Sequence, residues 1–278
     1  MSLNSNSSAG HFTPVDMIAF LEQLKLISRP IITKWFRNDP TTETKADSSP
    51  VTIADREVES ALRAEIARKF PADKITGEEF GSDNRVDIDT RSPYSWIIDP
   101  IDGTKAFISG KPTFGTLVGL LHNDVPVAGL VDMPILDECY IGLNNFRSAR
   151  MCQVNGVAIT PSGQQCLANA RLATTSPRAL SSARLIDFDR LADSVATTNY
   201  GGDCHNYALL SAGYIDLVME DSLAPHDIMA VAALMLASGA TVTDLEGAPI
   251  RNGLSTAILA ASTPQLHQAA LALIWQKT

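Results

Sequence analysis

The chain has 278 residues, 45% of them hydrophobic and 19% charged, with a formal net charge of −9. That length supports one large domain or two closely packed lobes, and the composition excludes a disordered chain. The acidic balance opposes nucleic acid or an anionic membrane as partner, since both call for a positive footprint, and favours a small substrate or a cation. A solubilising surface is the plainer source of net charge, so position along the chain has to decide. No apolar run approaches the roughly 18 residues of a membrane span. Cys139, Cys152, Cys166 and Cys204 form no Cys-x-x-Cys pair, which argues against a disulfide framework and for a reducing cytoplasm.

Residues 1–12 are expected to be a disordered arm, because SLNSNSSAGH is too polar for a secretory signal. Thr13-Pro14-Val15-Asp16 reads as a helix start, followed by Met17, Leu21, Leu24 and Ile31 at helical spacing. Pro30 is expected to kink or interrupt that helix. A loop is expected from about residue 38 to 50, then a helix from Thr52 in which Val58, Leu62, Ile66 and Phe70 recur every four residues. Asp55 falls in its first turn. Strand signals at 95–98, 113–121, 127–133 and 138–143 suggest a largely antiparallel sheet. Beyond about residue 150 short strands and helices alternate, at 172–175, 206–213, 215–220 and 227–238, with Gly239 placed to end the last helix. The division is an N-terminal α+β lobe, 13–150, and a C-terminal α/β lobe, 151–278.

The densest chemical constellation is Asp99-Pro100-Ile101-Asp102-Gly103-Thr104, which follows the apolar strand Trp96-Ile97-Ile98. Two carboxylates leaving a buried strand end repel one another and are poorly solvated unless a cation or strong donors neutralise them. An all-oxygen set with no clustered His or Cys suits a hard ion, and Mg²⁺ fits because it keeps waters and takes few carboxylates. Gly103 lets the backbone approach a ligand, and the N–H groups opening the next helix suit an anion. The plain alternative is a turn whose aspartates cap a helix. Glu78 in Gly77-Glu78-Glu79, Asp55 and Asp227 each have a similar pair of readings: solvated loop charge for Glu78, a first-turn or N-cap acid for the other two.

In this order the segments SPVTIADREVE, Gly77-Glu78-Glu79, Trp96 to Thr104 and Pro225-His226-Asp227 resemble the inositol monophosphatase family of lithium-sensitive, metal-dependent phosphatases, over about residues 14–262. The resemblance implies a layered α-β-α-β-α sandwich with a metal cluster between the lobes and roughly two to three Mg²⁺ ions. It assigns one ion to Glu78, Asp99 and the Ile101 carbonyl, and a second to Asp99, Asp102 and Asp227. Glu78 would help hold a third, looser ion through waters. Asp55 and Thr104 are the implied pair that orients the attacking water, and the Gly103 and Thr104 N–H groups would cradle the phosphate. Homodimers are common in the family, so a homodimer is among the implied arrangements.

Substrate choice is expected in Gly201-Gly202-Asp203-Cys204-His205 and Glu220, with Gly202, Asp203, Cys204 and Glu220 as substrate contacts. Gly-x-Asp-Cys before Tyr207 and the stretch from Ala106 to Thr116 resemble the histidinol-phosphate phosphatase branch. Histidinol phosphate offers an ammonium and an imidazole that carboxylates bind, whereas inositol offers hydroxyls. L-Histidinol-phosphate hydrolysis is therefore the expected activity. Inositol 1-phosphate or broad sugar-phosphate hydrolysis is the alternative, and a non-catalytic metal-binding scaffold a remote one. Asp203 could instead cap the helix that follows, and His205 and His226 stand near the leaving group or serve the fold.

Overall fold

The structure, a computed structural model, describes residues 8–38, 42–44, 50–82 and 92–276. Helix α1 (Pro14–Trp35) starts where its signature places it. Thr13 Oγ1 accepts the Asp16 N–H at 3.2 Å, and the Asp16 carboxylate accepts the Thr13 N–H at 3.0 Å, so two of the donors left open at a helix start are satisfied. Pro30 does not interrupt this helix, contrary to expectation. Both Pro30 and Leu26, the residue whose carbonyl loses its partner, face solvent, and water can serve that carbonyl. Residues 8–12 of the expected arm are packed against the fold. Ala9 is buried with its N–H on Asp73 Oδ2 at 3.0 Å, and Phe12 packs edge-on against Phe20 and Phe70. Residues 1–7 of the expected arm lie outside the described residues.

Within the expected 38–50 loop, β1 (Thr42–Thr44) pairs antiparallel with β2 (Pro50–Thr52); residues 39–41 and 45–49 lie outside the described residues. Helix α2 (Ile53–Lys69) buries Val58, Leu62 and Ile66, and Phe70 is buried just beyond it. The large sheet comprises β3 (Lys74–Gly77), β4 (Gly81–Ser82), β5 (Tyr94–Asp102), β6 (Gly115–His122), β7 (Val125–Met133), β8 (Glu138–Phe146), β9 (Ala149–Val154) and β10 (Val157–Ala158). Its order is β10-β9-β8-β7-β6-β5-β3-β4, antiparallel except for the parallel pair β3 and β5. Helix α3 (Thr104–Ile108) lies between β5 and β6 in the chain.

The small sheet contains β11 (Arg171–Thr174), β12 (Thr197–Tyr200), β13 (Leu217–Glu220), β14 (Thr241–Thr243) and β15 (Ile258–Ala261), in the order β12-β11-β13-β15-β14. Strands β12, β11 and β13 are mutually parallel neighbours. The remaining helices are α4 (Ser182–Ala192), α5 (Cys204–Ser211), α6 (Pro225–Ser238) and α7 (Pro264–Ile274). Strand alternation divides the apolar residues into three cores. Trp96 and Ile98 face α1 and α2; Ile97 and Leu117 face α5 and α6, as Val218 does from the small sheet; Leu217 and Met219 face α4 and α7. The result is the expected α-β-α-β-α sandwich. Among the described residues no helix is long and apolar enough to cross a membrane.

Helix α6, in the middle layer, is held unusually close to the large sheet. Gly119, Gly129 and Gly142 are register partners on β6, β7 and β8. A methyl at Gly119 would stand 3.0 Å from the Ala230 nitrogen, at Gly129 2.2 Å from the Ala230 oxygen, and at Gly142 2.7 Å from Leu234 Cα. Helix backbone therefore rests on sheet backbone, where a side chain would overpack the layer. Gly129→Ala is expected to lower the unfolding free energy by about 1–3 kcal/mol, read as a lower urea midpoint at unchanged m-value; an unaltered midpoint would show that the layer can widen freely.

Candidate active site

Two neighbouring strand ends carry the first acids. Glu78 follows β3, and its N–H donates to the Ile98 carbonyl of β5 at 3.1 Å, which carries the pairing one residue past the parallel ladder. Strand β5 runs on through Asp102, four residues beyond the expected end at Ile98. Its pairing with β6 shifts between Asp99, opposite Leu117, and Asp102, opposite Gly115. Three steps along β5 thus match two along β6, the extra residue of a β-bulge. The bulge has a chemical consequence. Residues three apart in a regular strand point to opposite faces, whereas here one oxygen each from Asp99, Asp102 and Asp227 lie within 4.8 Å of one another. Pro100 has no N–H to lose from the ladder, and Thr116 Oγ1 holds its carbonyl at 2.9 Å.

The other groups arrive on helices. Asp227 is the third residue of α6, not its N-cap as one reading of the sequence had it; its Oδ2 accepts the Ala224 N–H at 2.7 Å. Asp55, in the first turn of α2, is buried and lies near enough to Asp99 to raise that group's pKa. Thr104 Oγ1 donates to the Ile101 carbonyl at 3.2 Å, leaving that oxygen a second lone pair. Gly103 opens α3 at φ 87°, and a methyl there would stand 3.2 Å from the Asp203 carboxyl carbon. The glycine thus meets both a left-handed conformation and a close approach.

The electrostatics are those of a site short of positive charge. Burial, then Glu78, Asp102 and Asp227, pushes the Asp99 carboxyl well above the usual carboxylate range. Burial and the Asp203 and Asp227 charges do the same to Asp102, partly offset by hydrogen bonds from the Cys204 thiol and from the Cys204 N–H, the latter at 2.6 Å. Asp99 Oδ1 is buried with no hydrogen-bond partner. A buried, unsatisfied carboxylate oxygen amid converging carboxylates is the environment that a hard divalent cation relieves, and the all-oxygen set fits Mg²⁺. Glu78, Asp99, Asp102 and Asp227 could hold such ions.

The second lobe presents its own strand ends, where open parallel sheets place their ligands. Tyr200 ends β12, and Gly201, Gly202 and Asp203 follow at φ 82°, 111° and 46°. Three successive left-handed residues, the last with a side chain, make a strained loop of the kind found at binding sites. Asp203 stands at the N-cap of α5 but makes no side-chain cap bond, so the capping reading fails. Helix α5 begins at Cys204, two residues before the expected Asn206. Burial pushes the Asp203 carboxyl up to about 6 against the pull of Lys105 and Lys111. Glu220 ends β13, buried, with Oε1 on the Thr175 N–H at 2.5 Å and Oε2 on Thr174 Oγ1 at 3.2 Å; burial pushes it up to about 7.

Cys204, expected as a substrate contact, has its thiol buried, 3.8 Å from Met133 Sδ, and both thiol and N–H hydrogen-bond to Asp102. His205 Nε2 sits 3.0 Å from Glu138 Oε2, a pairing that serves the fold. His226 instead joins the cluster: a ring nitrogen and one oxygen each from Glu78 and Asp99 lie within 4.8 Å of one another. Glu59 was missed. Fully buried, it accepts the Glu79 N–H at 2.7 Å, the Phe80 N–H at 3.2 Å and Arg63 Nε at 2.7 Å, and so fixes the turn that carries Glu78. Its signal was the spacing of four from Asp55, which puts two acids on one helical face, an arrangement that disfavours a helix without a partner.

Five layers with a crowded carboxylate cluster, where α6 and the small-sheet loops meet the large sheet, define an α/β protein with acids that could hold cations. The sequence model of the inositol monophosphatase family matches residues 14–278. The chloroplastic bifunctional phosphatase IMPL2 of Arabidopsis thaliana is 37% identical over 277 residues, 96% of this chain and 78% of its own. A histidinol-phosphatase of Mycobacterium tuberculosis is 32% identical over 212 residues, covering 75% of this chain and 79% of its own. The solved structure of an inositol monophosphatase from Zymomonas mobilis superposes with a TM-score of 0.84 at 34% identity, over 95% of this chain and 99% of that one. The chain belongs to the inositol monophosphatase family and is a phosphatase of phosphoric monoesters.

Asp99→Asn removes the most crowded charge and keeps the shape. A carboxyl whose folded pKa is raised lends stability that is full below its unfolded value, about 3.9, and lost as pH rises through the folded value. The metal-free variant is therefore expected to melt above metal-free wild type at about pH 8, with the gap narrowing towards about pH 4. Equal melting temperatures at both would show that these charges are not in conflict.

Proposed function

We propose that the chain hydrolyses a phosphate monoester of a cationic alcohol, L-histidinol phosphate above others, by direct attack of water. The carrying observation is the second pair of carboxylates, half-buried Asp203 just beyond β12 and buried Glu220 at the end of β13, pushed up to about 6 and about 7. A neutral polyol has no need of two further acids beside a cluster already crowded with them; an ammonium or imidazolium meets them with charge-assisted hydrogen bonds. The likeness to the Mycobacterium histidinol-phosphatase supports the same substrate. Inositol 1-phosphate or a broader range of sugar phosphates is the second reading, favoured by the likeness to the Zymomonas inositol monophosphatase.

In this reading Glu78, Asp99 and the Ile101 carbonyl form one cation position, Asp99, Asp102 and Asp227 a second, and Glu78 supports a third. Divalent ions held there would polarise the phosphate, lower the pKa of a water and offset charge on the leaving oxygen. The protein supplies orientation. Once the Thr104 hydroxyl turns from the Ile101 carbonyl, Asp55 would set it, and that hydroxyl the attacking water in line with the departing oxygen. The Gly103 and Thr104 N–H groups hold phosphate oxygens, and Asp203 and Glu220 hold the cationic end of the alcohol, with Gly202 giving the loop room to approach. No cysteine is required as nucleophile.

Purified protein assayed with and without Mg²⁺ on both esters tests the proposal. Expected are Mg²⁺-dependent release of phosphate, a higher kcat/KM for histidinol phosphate than for inositol 1-phosphate, and at least an about tenfold fall in that ratio in Asp203→Asn. Faster turnover of inositol 1-phosphate, or a ratio untouched by Asp203→Asn, would reject the cationic-alcohol assignment. Mg²⁺ is also expected to raise the melting temperature of wild type and not of Asp99→Asn.

A further inference from the structure

We propose that His226 is a metal ligand, so that the Glu78–Asp99–His226 position is a mixed nitrogen–oxygen site that prefers a first-row transition ion such as Mn²⁺ or Co²⁺ to Mg²⁺. This rests on the reading of the carboxylate cluster as a divalent-cation site and goes beyond it by making its positions chemically unequal. Two triplets of donor atoms share Asp99, each with its atoms within 4.8 Å of one another: Asp99, Asp102 and Asp227 on one side, Glu78, Asp99 and His226 on the other. The first is all oxygen. The second contains a ring nitrogen.

Three further observations point the same way. Asp99, common to both triplets, has a buried oxygen with no hydrogen-bond partner. His226 is the second residue of α6, the helix seated on the glycine row, so its backbone is placed with that of Asp227. Its nearest ion-pair contact is long, Nε2 standing 3.7 Å from Asp227 Oδ1, beyond an ordinary hydrogen bond. By contrast His205 is taken up by Glu138 at 3.0 Å. Imidazole raises affinity along the series from Mn²⁺ to Cu²⁺ much more than it does for Mg²⁺, which is matched by oxygen donors and dehydrates reluctantly. A site of two carboxylates and an imidazole therefore selects against Mg²⁺, while its all-oxygen neighbour does not.

The experiment uses the full-length protein stripped with a chelator, kept in Mg²⁺, and titrated with Co²⁺ while its visible absorption is followed; a second sample carries Mn²⁺ for pulsed electron paramagnetic resonance. Wild type is expected to bind Co²⁺ in the presence of Mg²⁺ and to show nitrogen hyperfine coupling to bound Mn²⁺. His226→Phe and His226→Gln are expected to lose Co²⁺ affinity by about tenfold or more, to lose the coupling, and to change Mg²⁺ affinity by less than about threefold. Equal Co²⁺ affinity in wild type and both variants, or no nitrogen coupling in wild type, would overturn the role of His226. If Mg²⁺ binding persists in that case, only this inference fails. If wild type binds neither ion, the cation-site reading fails with it.

Discussion

Everything in this molecule's site follows from carboxylates being held together where water cannot screen them. Asp99 is almost wholly inaccessible and faces Glu78, Asp102 and Asp227, and each neighbour makes its charge harder to bear. Repulsion of this kind persists in a fold only when the surrounding structure over-determines it. Here a bulge in β5 turns Asp99 and Asp102 to one side, Thr116 holds the bulge, Glu59 holds the turn at Glu78, and a helix wedged between two sheets presents Asp227. A divalent cation held there would relieve that repulsion.

The two lobes solve the same geometric problem with different chemistry. In the large sheet the parallel pair β3 and β5 ends in Glu78 and in Asp99 to Asp102; in the small sheet the parallel strands β12, β11 and β13 end in Gly201 to Asp203, Thr175 and Glu220. The two groups of acids therefore meet, Asp203 standing beside Gly103. Cys204 couples the halves through its N–H on Asp102, so the loop that carries Asp203 is tied by one short hydrogen bond to the aspartate of the cation cluster.

Much of this was legible in the sequence, and the failures have physical causes. The helix periods and the strands from β5 to β8 could be read because spacing speaks locally, whereas the layered fold and the joining of the acids into one cluster came from the family resemblance. Pro30 misled because its effect depends on which face of α1 it occupies. The end of β5 was placed too early because a Pro-containing bulge resembles a turn until its partner strand is seen. Residues 8–12 read as polar, yet Ala9 and Phe12 find partners more than 50 positions away in Asp73 and Phe70. That the His226 imidazole joins Glu78 and Asp99 while the Cys204 thiol is buried beside Asp102 depends on the direction of each side chain, which a sequence does not carry. Three glycines inside apolar strands were a visible signal for close backbone approach, but their alignment across β6, β7 and β8 is a property of register.

That alignment extends the demands of catalysis well into the interior. A reacting centre tolerates displacements of about half an ångström, and the methyl of a single alanine added between sheet and helix would demand a larger shift than that at Gly129, where the nearest oxygen is only 2.2 Å away. Positions that touch neither substrate nor ion are thereby drawn into the dimensional tolerance of the site, as the thickness of a shim governs the alignment of the part it supports. Substitutions that look conservative by size and polarity would register first as lost alignment of Asp227 and His226, and only second as lost stability.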